Sequence, residues 1–515
     1  MDYLMAIDLG STSLKSIIYD LDGNIVSSAN RPTEKITPDE HPQWVIWDPD
    51  QIWQGSAAAI KEALSQIDDP TQVKALAVTG MGMDGVPIDS SGQHLYPFIS
   101  WHDPRTAAQA NWWNENIGAE KTFAITGFPT WAITAAMRIL WMKENQPEIM
   151  AAADKWLLIE DFLNHKLCGV IATDRSMASC MLLMDQAKHQ WSEDLLAASG
   201  IESSLLPPIM QSGTVLGKVS AEAAALTGLS IETTVVLGGH DHICGTLPVG
   251  AYKPGTLFDI LGTWESVIAT IPTPVMTDAI RDSAICIQSH VAPDCYAAWG
   301  GAPSGESLEW FKEQFGSQAR QDAKESGDVW THLLASLDGT TPGASGVMFL
   351  PHLSSAGCPI SDNKSMGAFV GLSNTATHAD MFRAVIEGLN FQFLEIRQAM
   401  EAGLNCQFEN VIISGGGAKN EFWIQNKADM LGLPINVSDV QESTPLGAAM
   451  LAGLGVGLYD NLDDAFQRVS KSAKIYQPNL ELTAEYQKLF EIYKGIYPAL
   501  KPTSNALFNK FKTQM

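Results

Sequence analysis

Apolar and polar positions along the chain repeat at two periods, and each change of period marks an element. An apolar run over 3–7 ends in Asp8-Leu9-Gly10-Ser11-Thr12-Ser13-Leu14-Lys15. A second run follows at 16–19, then Asp22-Gly23, a strong two-residue hairpin signal, then a returning run at 24–27. This predicts three antiparallel strands joined by two turns. Asp48-Pro49 reads as an N-cap with proline at the first helical position, and Ile52, Ile60 and Leu64 share one face of the helix that follows. Residues 73–79 read as a strand, parallel and central, running into a glycine-rich bend at 80–85. The pattern then predicts helices over 131–145 and 155–166, the latter buried and ending near Gly169, a cap at Thr173-Asp174, and a short helix over 221–229.

The apolar run 235–237 ends in Gly238-Gly239 and delivers His240, Asp241 and His242 to a turn. Another run, 256–261, ends in Gly262-Thr263 and is followed by a strand over 266–270. Strand, hydroxyl-bearing glycine turn and strand therefore occur twice, which points to a duplication at the supersecondary level. Residues 299–311 read as a turn feeding a helix, 346–352 as a strand and 381–400 as a long helix. A strand over 411–414 runs into Gly415-Gly416-Gly417. Asn420 then caps a helix over 421–431, a strand occupies 434–437, a further helix begins near Gly447, and 478–515 reads as a helical extension. Strands alternating with helices in this way indicate an α/β fold.

Length makes two large domains the expectation, since the chain has 515 residues. Lys+Arg is 32 against Asp+Glu 58, a formal net charge of −26, which repels nucleic acid and anionic membranes. Any anionic ligand then needs local help from backbone amides, a metal ion or a few placed cations. The seven cysteines are scattered without a CxxC pair and read as reduced thiols of a cytoplasmic protein. No signal peptide is indicated, and no apolar stretch approaches the roughly 20 residues of a membrane span.

Candidate chemistry gathers at four places. Asp241, at a strand end, can accept a proton as a catalytic base, and the Gly262-Thr263 turn can grip a nucleotide. A buried, hydrogen-bonded turn between core strands is the plain alternative. The turn at 8–15 can wrap phosphate oxygens with donors from Gly10, Ser11, Thr12, Ser13 and Lys15, while Asp8 can hold magnesium directly or through water. It lacks the spacing of a Walker A loop, and an ordinary hairpin is its plain alternative. Trp101, Asp103 and Arg105 lie on one loop with sugar-binding chemistry: an apolar ring face and shared hydroxyl partners. A capped helix start with a local ion pair explains the same residues. Gly415, Gly416 and Gly417 permit close approach of a flat or phosphorylated ligand, and the following helix adds a positive dipole end.

Taken together, and over nearly the full length, the chain resembles the FGGY family of carbohydrate kinases. Residues 8–15 look like the family's first phosphate motif and 101–105 like its sugar loop. Gly239-His240-Asp241 looks like its catalytic motif, Gly262-Thr263 its second phosphate motif and 415–417 its adenosine motif. Residues 367–372, then seven residues, then 380–387 fit its C-terminal signature. In the N-terminal signature Arg138 stands where lysine is usual, while 141–145 fits. The resemblance implies two actin-like, ribonuclease-H-like domains, 1–245 mainly for sugar and catalysis and 246–515 mainly for ATP, with a cleft between them.

Carried over by residue, the resemblance makes Asp241 the base and Asp8 the Mg2+ anchor. Thr12 sits by the transferred phosphoryl group, Gly262 and Thr263 contact ADP phosphates, and Gly416, Gly417 and Asn420 flank adenosine. Met83, Asp84, Trp101, Asp103, Arg105, His240 and His242 would face the sugar. Met83-Asp84-Gly85, 95–101 and Gly262-Thr263-Trp264-Glu265 bring the chain closest to the L-fuculokinase branch. This implies a ketose of L-fuculose type, with other ketoses, xylulose, a polyol or a non-catalytic sensor as alternatives. A small sugar and ATP are the expected partners, nucleic acid and membrane are not, and a homodimer stays open.

Overall fold

The computed structural model describes residues 1–511. The described part of the C-terminal extension forms two helices, Leu480–Tyr493 and Ile496–Phe511, and 512–515 lie outside the described residues. Two mixed sheets organise the chain. In the first, Tyr3–Leu9, Ser13–Tyr19 and Ile25–Pro32 form an antiparallel set, Val73–Gly80 adds parallel to the first strand, and Thr234–His240 adds parallel to that. In the second, Thr256–Leu261, Trp264–Ile271 and Tyr296–Pro303 form the antiparallel set. Asn410–Ser414 and Ile435–Ser438 extend it in parallel. Both sheets thus run in the order third, second, first, fourth and fifth strand, with extra strands only at the edges. The repeated strand–turn–strand pattern predicted this duplication, and the α/β class follows from it.

The central strands are buried almost throughout, as parallel strands covered on both faces must be. One covering element crosses between the halves. The helix Ser443–Gly455 packs on Tyr3–Leu9, Val73–Gly80 and Thr234–His240 of the first sheet. Its small residues allow this: a Cβ on Gly447 would stand 1.9 Å from the carbonyl oxygen of Cys244. Leu446, Met450 and Leu451 of this helix share one apolar core with Ala6 and Val236 of the first sheet and Phe258 of the second.

Several expectations need correction. The stretch 155–166 is not one helix: Lys155–Leu158 is a strand paired with Gly85–Ile88, and the helix is Ile159–Cys168. Its four apolar-rich leading residues fit either period. The turn expected at 299–301 is part of the strand Tyr296–Pro303. Its glycines serve close packing, since a Cβ on Gly301 would meet Glu265 O at 2.4 Å. Gly238 likewise marks a bulge in a continuing strand, with a Cβ position 1.8 Å from Val78 O, so His240 ends the strand rather than entering a turn. The helix expected from 131 begins at Ala135.

Candidate functional site

Asp241 opens a one-turn helix, Asp241–Cys244, at the end of the first sheet's fifth strand. Its Oδ1 accepts from the backbone N–H of His242 at 2.6 Å and lies 3.0 Å from His242 Nδ1. Burial works to raise its pKa, but the hydrogen bond from His242 and the adjoining imidazoles outweigh it and hold the carboxyl below its usual value. It is therefore ionised at neutral pH and remains partly exposed. Asp8 is its opposite: burial, then the neighbouring Asp241 charge, push it up to about 7 against the pull of Lys15. Two carboxyls in one field favour a cation between or beside them, so Asp8 and its surroundings fit a divalent metal ion. Lys15 is held by Glu442 at 2.6 Å, at the entrance to the crossing helix.

The turn after Asp8 is tied down through its backbone. Gly10 N–H donates to Ser13 O at 3.1 Å, and Thr33 donates to Thr12 O and Gly10 O at 3.0 and 2.8 Å. The side chains of Ser11, Thr12 and Ser13 form no hydrogen bond among the described residues, which leaves three hydroxyls for a ligand.

In the second sheet the structure brings Gly262, Thr263, Gly416, Gly417 and Asn420 to one cavity of about 790 Å3. Leu308 and Trp330 give it apolar walls. The carbonyls of Gly262 and Thr263 accept from Gly305 N and Ser304 N at 3.1 and 3.0 Å, which sets the turn at the N-terminus of the helix Gly305–Phe315. The sequence predicted a helix within 299–311, but not that its N-terminus lines this cavity beside Gly262-Thr263. Gly415 has φ +94° with a Cβ position 2.5 Å from Leu261 O, whereas a Cβ on Gly416 would meet nothing within 4 Å. Asn420 caps the helix Glu421–Leu431 as expected. Volume, glycine approach and helix end together fit a purine nucleotide.

The sugar-loop residues fall into two settings. Trp101 is exposed and stacks on His102. Asp103 and Arg105 are side-chain buried and paired at 2.6 Å, with Arg105 lying 3.7 Å over the ring of Trp44. Asp103 also accepts from Val45 N and Arg105 N, so the pair builds the loop. Arg105 Nη1 is buried without a partner. Asp84 is fully buried, accepts from Trp47 Nε1 at 2.6 Å and faces Arg138 at 3.4 Å. Burial raises its pKa to about 6, opposed by Arg138. Met83 is buried beside it and its carbonyl accepts from Arg138. His240 is also buried, and a Cβ on Gly82 would stand 2.7 Å from its Nε2. His242 packs edge-on to Trp299, which in turn meets Phe128 and Trp131.

These features have counterparts in known proteins. Residues 3–248 match the N-terminal domain of the FGGY family of carbohydrate kinases, and residues 258–456 match its C-terminal domain. A xylulose kinase of Lactococcus lactis is 30% identical, covering 98% of this chain and 99% of the relative. An L-fuculokinase of Escherichia coli K12 is 28% identical, covering 93% and 98%. Among solved structures, a gluconate kinase from Lactobacillus acidophilus superposes with a TM-score of 0.88 at 25% identity, covering 97% and 98%. The chain belongs to the FGGY family of carbohydrate kinases.

Proposed function

We propose that this sugar phosphotransferase transfers the γ-phosphoryl group of ATP to a hydroxyl of a ketose, of L-fuculose type or another ketohexose or ketopentose. The observation that carries the reading is Asp241: a carboxylate held ionised at a strand end, electrostatically coupled to Asp8. Asp241 takes the hydroxyl proton as the sugar oxygen bonds to the γ-phosphorus and the bond to the bridging oxygen breaks, releasing ADP. Asp8 would hold Mg2+, which when bound neutralises phosphate charge. Ser11, Thr12 and Ser13 donate hydroxyls towards the transferred group, and Gly262 and Thr263 approach the ADP phosphates. Gly416, Gly417 and Asn420 lie along the adenosine. Trp101 offers its ring face to the sugar, and Arg105 Nη1 and His242 Nε2 are buried atoms without a protein partner.

Residues 1–245 would then carry the sugar and the base, and 246–515 the nucleotide, with 443–455 returning to brace the first sheet. Seven free thiols suit a reducing cytoplasm. Xylulose is the second reading, favoured by the likeness to the L. lactis xylulose kinase. ADP release measured over ketohexoses, ketopentoses and polyols tests both. Turnover on a ketose supports the proposal. Nucleotide binding without turnover on any of them contradicts it.

A further inference from the structure

His240 is next to the base and buried. Its surroundings fix which ring nitrogen carries the hydrogen. The side-chain amide of Gln288 is oriented by two independent partners: its Oε1 accepts from Trp299 Nε1 at 2.8 Å, and its Nε2 donates to the carbonyl of Ser176 at 2.9 Å. The same Nε2 lies 2.8 Å from His240 Nδ1. An amide nitrogen can only donate, so His240 Nδ1 must accept, and the hydrogen of the neutral ring must sit on Nε2. Nε2 points at Asp241 Oδ1, 3.6 Å away. The backbone N–H of His240 donates to Ser176 Oγ at 2.9 Å, which locks the segment further.

We propose that Gln288 and Trp299 are positioning residues of the second sheet. They hold His240 as a neutral Nε2–H donor directed at Asp241, and so keep the base ionised and aimed. The inference rests on Asp241 being the base. It joins the halves, because Gln288 and Trp299 lie on Cys286–Ser289 and Tyr296–Pro303, while His240 and Asp241 end the fifth strand of the first sheet. The N–H is too far for a full hydrogen bond, so it acts on Asp241 as an oriented dipole. The other titratable groups facing the pair are His242, Cys180, Asp8 and Glu160. Among these, burial and then His242 hold His240 down to about 3, so it stays uncharged. His240, Asp241 and His242 are also compact enough to suggest a metal site, with ligand atoms within 4.8 Å. The hydrogen on Nε2 argues against it, since a ligating nitrogen must be bare.

The test uses the full chain labelled with 15N-histidine. Long-range 15N–1H spectra at neutral pH should show His240 protonated on Nε2 and bare at Nδ1, a pattern that Gln288→Met abolishes. Kinetically, Gln288→Met should lower kcat about tenfold and move the acid limb of kcat/KM upward by about half a unit, a fraction of the roughly 10²–10⁴-fold that the base supplies. His240→Met should match it, and His240→Gln, which restores an N–H at the Nε2 place, should recover most of the loss. A wild-type His240 that is cationic or protonated on Nδ1 overturns the inference, as does an unmoved acid limb in Gln288→Met. Near-normal activity of Asp241→Asn would instead overturn the base assignment and leave the tautomer result standing.

Discussion

At the residue scale, buried carboxyls decide how the site behaves with pH. Glu160 lies behind the strand that delivers Asp241, fully buried, with neither carboxyl oxygen partnered. Burial, then Asp174 and Asp161, push its pKa well above 4.5. The unfolded chain therefore loses this proton near 4.5, while the folded chain keeps it to higher pH. The resulting stability is fully present below 4.5 and declines as pH rises towards the folded value, by up to about 1.4 kcal/mol per pH unit. Glu160→Gln removes that slope. Its stability relative to wild type, read by urea unfolding, should grow from pH 5 to pH 8; a constant difference contradicts the assignment. Lys427 is the other buried charge of note, bonded to Asp259 and Glu265 at 2.5 and 2.7 Å behind the Gly262-Thr263 turn. Lys427→Met leaves two buried acids without a cation and should cost about 3–5 kcal/mol in the same measurement. The place of Asp241 at a strand end was legible in sequence because the apolar run 235–237 and two glycines lead up to it. Burial of His240, and Arg105 stacked on Trp44, were not, because Gly82, Gln288 and Trp44 lie far away in sequence.

At the element scale, glycine placement separates folding from binding. A Cβ on Gly416 meets nothing within 4 Å and enters the cavity, while one on Gly305 would stand 2.4 Å from Gly262 O. Gly416→Ala should fold with an unchanged Tm and raise KM for ATP. Gly305→Ala should lower Tm by several degrees, as expected for a clash worth about 1–3 kcal/mol. Equal effects of the two on Tm would contradict this division. The strand–glycine turn–strand unit at 262–263 and the strand–glycine turn–helix unit at 415–420 were readable from run lengths and the Asn420 cap. Strands Lys155–Leu158 and Tyr296–Pro303 were not. In the first, apolar residues continue into a buried helix without a break in composition. In the second, Gly300 and Gly301 mimic a turn but answer contacts with Cys358 and Trp264 that exist only in the folded chain.

At the scale of the whole molecule, two sheets of the same strand order share a core through the helix Ser443–Gly455. The repeat was visible in the sequence, but this crossing was not, since the helix's alanines and glycines name no partner. Sugar and nucleotide sites assigned to different sheets should couple. A phosphorylatable ketose added with a non-hydrolysable ATP analogue should raise Tm more than the sum of the separate shifts. Additive shifts would contradict a shared closed state. The most direct test of the account is the rate of ADP release by Asp241→Asn on the ketose that wild type turns over best. The account predicts a fall in kcat of roughly 10²–10⁴-fold with KM for ATP little changed. A kcat within a few-fold of wild type would contradict it.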